Sequence, residues 1–241
     1  MEDWLTEPHT HTYNPIADGN SIVSRYPWLT RYPPKLRLWN NRGYLLVKRI
    51  FDFTVVIVSA PMWLIVMGVC ALLIKLDDPK GYVLFTQART GLGGRRFEMY
   101  KFRSMVTNAE EQKIELAHLN ELQWPDFKIT NDPRITKIGA FLRKTSLDEL
   151  PQIINVLAGE MSLVGPRPTS FSAETYALWH TERLDVLPGV TGLWQLLGRG
   201  KSEFDERLRM DITYIERRCL RLDIQIFVRT LFSVLQQEGA Y

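Results

Sequence analysis

The sequence predicts a membrane-associated α+β protein: a compact, mostly helical domain with a small β-hairpin, joined to one apolar helical segment. Three observations predict it. No charged residue interrupts the 22 positions from Phe53 to Ile74. Two β-prone runs flank a turn containing Gly91, Gly93 and Gly94, and amphipathic helical stretches dominate the chain beyond that turn. With 241 residues and 45% hydrophobic content the chain can bury a real core, which excludes disorder throughout.

Residues 1–44 form the first unit, an extension with Pro8, Pro15, Pro27, Pro33 and Pro34 and little periodicity, expected to be irregular or to lie on a membrane surface. The net charge of +3 is mild, but Arg25, Arg31, Lys35, Arg37, Arg42, Lys48 and Arg49 run without an acid among them. Tyr26, Trp28, Tyr32, Trp39 and Tyr44 are interleaved with these cations just ahead of the apolar run. That combination fits a membrane lipid interface better than nucleic acid. His9 and His11 have no third ligand nearby, so they do not make a metal site.

Residues 45–76 form the second unit. At about 1.5 Å per residue, a straight helix of this length could cross the hydrocarbon core. Ser59-Ala-Pro61 interrupts it, because proline removes a backbone hydrogen bond and bends the chain. Lys48 and Arg49 precede the run and Lys75 follows it. Cations at both ends suit a hairpin that returns to the face it entered, while a kinked spanning helix is equally compatible with the pattern. A cleaved signal peptide fits poorly, because a long basic segment precedes the run. The only cysteines are Cys70 and Cys219, so no disulfide framework is expected and a reducing compartment fits.

Residues 77–241 form the third unit. Strands are expected around Tyr82–Gln87 and Phe97–Phe102, and the glycine turn between them lacks the lysine and hydroxyl of a phosphate-binding P-loop. Lys101 and Arg103 share one face by the two-residue period, facing either solvent or a site for anions. Helices are expected over Asn108–Leu122, with Asn108 as N-cap, and over Thr136–Lys144, with an apolar stripe of Ile138, Phe141 and Leu142. Near the C-terminus Ile224, Phe227, Leu231 and Val234 repeat at helical spacing with Arg221 and Arg229 off the stripe. Packing of that stripe onto the domain is expected, with a helix lying on lipid as the other reading.

Chemistry concentrates in Thr145-Ser-Leu-Asp-Glu-Leu-Pro-Gln152. Pro151 is comfortable only in a helix's first turn, so a helix should begin near Ser146 to Asp148 and stop at Gly159. Asp148 and Glu149 would then sit at the positive end of its dipole, where an ionised carboxylate is a usable nucleophile. The competing reading is a capping box in which Ser146 and Glu149 only cap. Arg143, five residues earlier, and Arg167, between two prolines, are the best candidates to clamp a phosphate in a two-pronged fork.

Order makes these signals specific. Lys48-Arg49, the broken apolar run, Phe85-Thr-Gln-Ala-Arg-Thr-Gly91, Lys101-Phe-Arg-Ser-Met105, Asp132-Pro-Arg-Ile-Thr136, Leu142-Arg143, Leu147-Asp-Glu-Leu-Pro-Gln152, Gly159-Glu-Met-Ser-Leu-Val-Gly-Pro-Arg-Pro168 and Pro188-Gly-Val-Thr-Gly192 follow one another in register. Over roughly residues 45 to 235 this set resembles the bacterial sugar transferases of the monotopic phosphoglycosyl transferase family, polyprenyl-phosphate hexose-1-phosphate transferases. The resemblance implies a re-entrant membrane helix hairpin, a cytoplasmic catalytic domain and attachment to the bacterial inner membrane. It implies transfer of a sugar 1-phosphate from a UDP-sugar to undecaprenyl or another polyprenyl phosphate, with release of UMP, at the start of exopolysaccharide, capsule or O-antigen assembly. It also implies Mg²⁺ and an Asp-Glu dyad, here Asp148 and Glu149.

On this reading Asp148 attacks phosphorus, Glu149 and Asp148 meet the metal, Arg143 and Arg167 offset charge, and Lys101, Arg103 and Arg199 are further phosphate contacts. Asp211 and Tyr214 match a helical motif outside the catalytic set. Residues 1–44 have no counterpart in the family core, and Pro61 lies nearer the start of the apolar run than the family's usual break. A homo-oligomer is compatible with the resemblance. The rival classes are a non-catalytic membrane scaffold for glycan assembly and a different lipid phosphotransferase; UMP release dependent on polyprenyl phosphate separates all three.

Overall fold

The structure is a computed structural model, and it describes residues 21–33, 42–121, 129–172, 178–198 and 204–236. Helices α1 (Arg42–Val58) and α2 (Ala60–Asp77) carry the apolar run. The break falls at Ser59, as expected, and Pro61 sits in the first turn of α2, where its missing N–H costs nothing. Side chains bond the carbonyls beside the break: Trp63 Nε1 donates to Val56 O at 2.8 Å, and Ser59 Oγ donates at 2.7 Å to Val55 O, which keeps its backbone bond from Ser59 N.

The polarity of α1 is inverted. It buries Lys48, Asp52 and Val56 at four-residue spacing against the domain while Leu46, Ile50, Phe53 and Val58 point outward. Helix α2 buries Cys70 and Ile74 and exposes Met62, Ile65, Val69, Leu72 and Leu76. By length and composition α2 is the one helix among the described residues that could cross a membrane, with mean hydropathy 1.8. Such contiguous exposed apolar surface is a membrane or partner face.

Strands β1 (Leu84–Thr90) and β2 (Arg96–Phe102) form the expected antiparallel hairpin, with Phe85 opposite Lys101 and Gln87 opposite Met99. Helix α3 spans only Ala109–Glu115, followed by a 3₁₀ turn at Ala117–Leu119. It is shorter than expected because it buries little beyond Ala109, leaving Ile114 exposed, and Asn108 holds the cap position without a side-chain capping bond. Helix α4 (Lys137–Lys144) is capped by Thr136, whose hydroxyl accepts from Gly139 N at 2.9 Å. Of its expected stripe, Leu142 is fully buried and Phe141 half exposed. A Cβ on Gly139 would lie 1.9 Å from Ser104 O, so glycine alone lets α4 approach the exit of β2 this closely.

A 3₁₀ turn, Leu147–Glu149, leads to α5 (Gln152–Ala158), which stops at Gly159 in the left-handed conformation, φ 85°. Strands β3 (Ser162–Val164) and β4 (Gly189–Thr191) add a parallel pair that no sequence pattern suggested. A 3₁₀ segment (Leu178–Asp185) and helices α6 (Leu193–Leu197), α7 (Phe204–Arg217) and α8 (Leu220–Leu235) complete the domain. The mixture of helices with two small sheets agrees with the α+β expectation.

Two expectations change. Residues 21–33 are not a surface extension: Ile22, Leu29 and Tyr32 enter the main core with Val56, Val164, Tyr214 and Leu222. Arg25 pairs with Glu206, and Arg217 donates to Tyr32 O at 2.6 Å. The apolar residues of this segment therefore hold α7 and α8, and its cations are partly used within the domain. On α8 the inward face is Leu222, Asp223 and Ile226, offset from the expected stripe. Phe227 still packs, edge-on to Phe51 at 6.3 Å, but Ile224 and Leu231 join Val228 and Phe232 on an exposed face. Periodicity cannot separate two adjacent apolar faces of one helix, and α8 has both.

Candidate active site

Leu147 and Leu150 bracket the two acids, and both pack on the cluster formed by Cys70, Ile74, Phe102 and Leu142. The apolar flanks thus seat the Asp148-Glu149 turn against α2. Ser146 turns the chain out of α4 in the left-handed region, φ 58°, a conformation that costs a non-glycine residue about 1–3 kcal/mol. Its side chain makes no cap bond, and Glu149 is committed elsewhere, so the capping-box reading fails. The α-helical turns begin at Gln152, after the dyad. The acids therefore do not sit at a helix N-terminus.

Glu149 is enclosed. Arg167 Nη1 donates to Oε2 at 3.0 Å, Arg167 Nη2 donates to Oε1, and Lys101 Nζ donates to Oε1 at 2.8 Å. Burial alone would raise its proton affinity, but Arg167 and Lys101 together hold Glu149 well below the usual carboxylate range. Asp148 has none of these hydrogen bonds. Burial, then the charge of Glu149, raises its pKa, with Lys101, Arg143 and Arg167 opposing through space. Adjacent acids therefore differ: one is a fixed anion in a fork of donors, the other a more basic carboxylate with its oxygens uncommitted.

The cations are placed by separate elements. Lys101 comes from β2; burial depresses its pKa and Glu149 counters. That edge of β2 is fixed by Asn155, which accepts from Tyr100 N at 3.1 Å and donates to Glu98 O at 2.7 Å. Arg143 projects from α4 with Nε donating to Ser104 Oγ at 2.8 Å; burial lowers its pKa, and Asp148 and Asp132 raise it. Asp132 in turn is clamped by Arg134 at 2.6 Å.

Arg103 is not in this group. Its backbone still pairs across the hairpin, Arg103 N donating to Val83 O at 2.9 Å, but its side chain is taken elsewhere. Arg103 instead binds Asp78 Oδ2 at 2.5 Å and Tyr82 O at 2.6 Å, tying the end of α2 to the hairpin. Arg199 lies outside the described residues. Beside Arg167 a cavity of about 10 Å³ has room for no more than a water. Sequence reasoning missed Asn155, Ser104 and Asp132 as supports of the cations, although the last two lie within the Lys101–Met105 and Asp132–Thr136 motifs.

Among the described residues no three histidine, cysteine, aspartate or glutamate side chains converge on one point. The dyad offers two adjacent carboxylates, of which Glu149 already accepts from Arg167 and Lys101, and Mg²⁺ takes one or two carboxylates with phosphate oxygens completing its shell. The donor set fits such an ion on those terms, with Asp148 offering the less committed oxygens.

A family model described as bacterial sugar transferase matches residues 43–237. The galactosyl transferase CpsE of Streptococcus agalactiae is 43% identical over 202 residues, covering 82% of this chain and 44% of its own. The undecaprenyl-phosphate galactose phosphotransferase of Salmonella typhimurium is 41% identical over 218 residues, covering 86% of this chain and 44% of its own. A UDP-glucose:undecaprenyl-phosphate glucose-1-phosphate transferase of Escherichia coli K12 is 38% identical over 252 residues, covering 98% of this chain and 50% of its own. The chain thus spans half or less of the length of these three relatives.

Proposed function

The chain belongs to the bacterial sugar transferase family, and from that premise we propose that it transfers a sugar 1-phosphate from a UDP-sugar to undecaprenyl or another polyprenyl phosphate, releasing UMP. The observation that carries the proposal is the inequality of the dyad: an enclosed Glu149 and a basic, uncommitted Asp148, with three cations against two carboxylates. The surplus positive charge suits a diphosphate, whose negative oxygens must be offset before a carboxylate can approach phosphorus.

In the first step an Asp148 oxygen forms a bond to the β-phosphorus while the bond from that phosphorus to the bridging oxygen breaks. The electron pair leaves with UMP, and the sugar phosphate remains as an acyl phosphate on Asp148. In the second step an oxygen of polyprenyl phosphate bonds to the same phosphorus and the Asp148–phosphorus bond breaks, regenerating the carboxylate. Arg143 and Arg167 face the transferring phosphoryl oxygens, and Glu149 holds Arg167 and Lys101 in position. Mg²⁺ bound by the dyad carboxylates would supply Lewis-acid neutralisation of the diphosphate.

Two steps let a soluble donor and a lipid acceptor use one site in turn. The outward apolar faces of α1 and α2 support a re-entrant hairpin in the cytoplasmic leaflet of the bacterial inner membrane, with the dyad turn seated on α2 at the boundary. UMP release over a panel of UDP-sugars including glucose and galactose, with and without polyprenyl phosphate, tests the assignment. Acceptor-dependent turnover with one sugar supports it; no UMP from any sugar ends it.

A further inference from the structure

We propose that Arg183 and Asp211 are positioning residues for Arg167, acting through its backbone; the inference rests on the transfer reaction proposed above. Arg167 is tied at both ends. Its guanidinium grips both oxygens of Glu149, and its carbonyl accepts from Arg183 Nη2 at 2.5 Å. The same Nη2 donates to Asp211 Oδ2 at 2.8 Å. One chain of contacts therefore runs from Asp211 on α7, through Arg183 on the 3₁₀ segment, to the loop that presents Arg167, and from there to the dyad.

A plain stability role accounts poorly for this pair. Asp211 is 1% exposed and Arg183 7%, and a buried ion pair of this kind is often no better for stability than well-packed apolar residues. Asp211 Oδ1 also has no hydrogen-bond partner among the described residues, an oxygen buried at a cost. The loop's neighbouring carbonyls are held by other partners, Pro166 O by Gly189 N at 2.9 Å, Pro168 O by Arg89 Nη1 at 3.3 Å and Thr169 O by Thr90 N at 2.9 Å, while the bond to the Arg167 carbonyl is the one that Arg183 supplies. A cavity of about 10 Å³ bordered by Pro166, Arg167, Pro168 and Arg183 leaves the loop incompletely backed by packing.

The local backbone shows why the tether is a bond to a carbonyl. Pro166 and Pro168 fix their own φ, and Pro168 biases Arg167 toward extended ψ without fixing it. That remaining torsion aims the Arg167 carbonyl, and the hydrogen bond from Arg183 sets it. Asp211 in turn holds the Arg183 guanidinium in the plane that reaches the carbonyl. Mispointing the loop would weaken the Arg167 fork on Glu149 although neither Arg183 nor Asp211 is bonded to the dyad itself.

The test uses the full chain in membrane nanodiscs, with Asp211→Asn and Arg183→Lys made singly and on an Arg167→Ala background. Each single variant is expected to lower kcat for UMP release by about tenfold or more. On the Arg167→Ala background each should change it by less than about twofold, because the route through Arg167 is already gone. Amide exchange read by mass spectrometry should quicken by about tenfold in the 165–170 segment of each variant and stay unchanged in the 84–102 hairpin.

Full additivity with Arg167→Ala, or unchanged exchange in the loop, overturns the proposal. If Asp211→Asn does not fold, Arg183→Lys keeps the charge facing Asp211 while losing the guanidinium's forked geometry, and the same two readouts decide. If the native protein releases no UMP from any UDP-sugar, the transfer reading fails, while the exchange measurement still decides the positioning claim.

Discussion

Two clusters of buried charge invite comparison: the one around Asp223 at the foot of α1 and the one around the Asp148-Glu149 dyad. Asp223 is fully buried and fully served. Tyr214 Oη donates to it at 2.7 Å, Tyr44 Oη at 2.8 Å, and Lys48 lies 3.1 Å away. Two anions, Asp223 and Asp52, share one cation, Lys48, Asp223 taking two tyrosine hydroxyls and Asp52 the Ser162 hydroxyl, and every group is internal to the protein. At the dyad, three cations from three elements meet two acids, and Asp148 is left without a side-chain donor. The first cluster meets its acids with partners inside the protein; the second carries a surplus of positive charge, which under the proposed function an anionic substrate would offset. That difference sets a carboxylate that joins helices apart from one that the proposed function makes the nucleophile.

The comparison breaks most sharply at Asp148. Asp148→Asn, which preserves shape and removes the nucleophile, should lower UMP release by about 10³-fold or more with unchanged unfolding. Turnover within tenfold of native would place Asp148 with the structural acids. Asp223→Ala should do the reverse: leaving Lys48 with Asp52 as its remaining acid, and Tyr214 and Tyr44 without their shared acceptor, is expected to cost about 3–5 kcal/mol of stability, read by denaturant unfolding, with the kcat of the folded fraction retained.

Arg167→Ala should lower kcat/KM by about 10²-fold, the loss typical of one preorganised donor, while thermal unfolding changes little because Glu149 keeps Lys101. A fall in stability without a fall in kcat/KM would move Arg167 to the structural side of the comparison.

A smaller effect comes from pH. Burial pushes Asp211 up to about 7, with Arg183 and then Arg207 opposing. Its folded pKa exceeds the unfolded value of about 3.9, so the folded state holds this proton more tightly. Asp211 should therefore add stability as pH falls below about 7, its contribution complete only below the unfolded value and lost as pH rises through about 7. Activity should run the other way, since the ionised form holds Arg183. The difference between native and Asp211→Asn in both profiles isolates this group; parallel profiles would refute it.

Much of the site was legible because it is contiguous. Leu147 to Gln152 places the acids in one turn, and Arg143 and Arg167 lie close on either side in sequence, so local pattern was enough. The hairpin and the Thr136 cap were legible for the same reason. What escaped depends on distance in the chain or on an element's length. Arg103 was misplaced because the acid that takes its side chain, Asp78, lies 25 residues earlier at the end of α2. Residues 21–33 looked like an extension because their partners lie near residues 206 to 225. The β3–β4 pair is three residues a side and built around glycines, too short for a period to show. The unequal chemistry of the two acids was also invisible, because sequence does not show that Arg167 and Lys101, the latter 48 residues away, both bond Glu149 and leave Asp148 aside.

The most direct measurement is a search for the covalent intermediate. The native protein, incubated with a UDP-sugar labelled in the sugar and the β-phosphate and without lipid acceptor, should retain both labels on the Asp148 peptide and release UMP. Polyprenyl phosphate should then discharge them, and Asp148→Asn should never acquire them. Label that persists in Asp148→Asn, or transfer by that variant at a rate near native, would contradict the account.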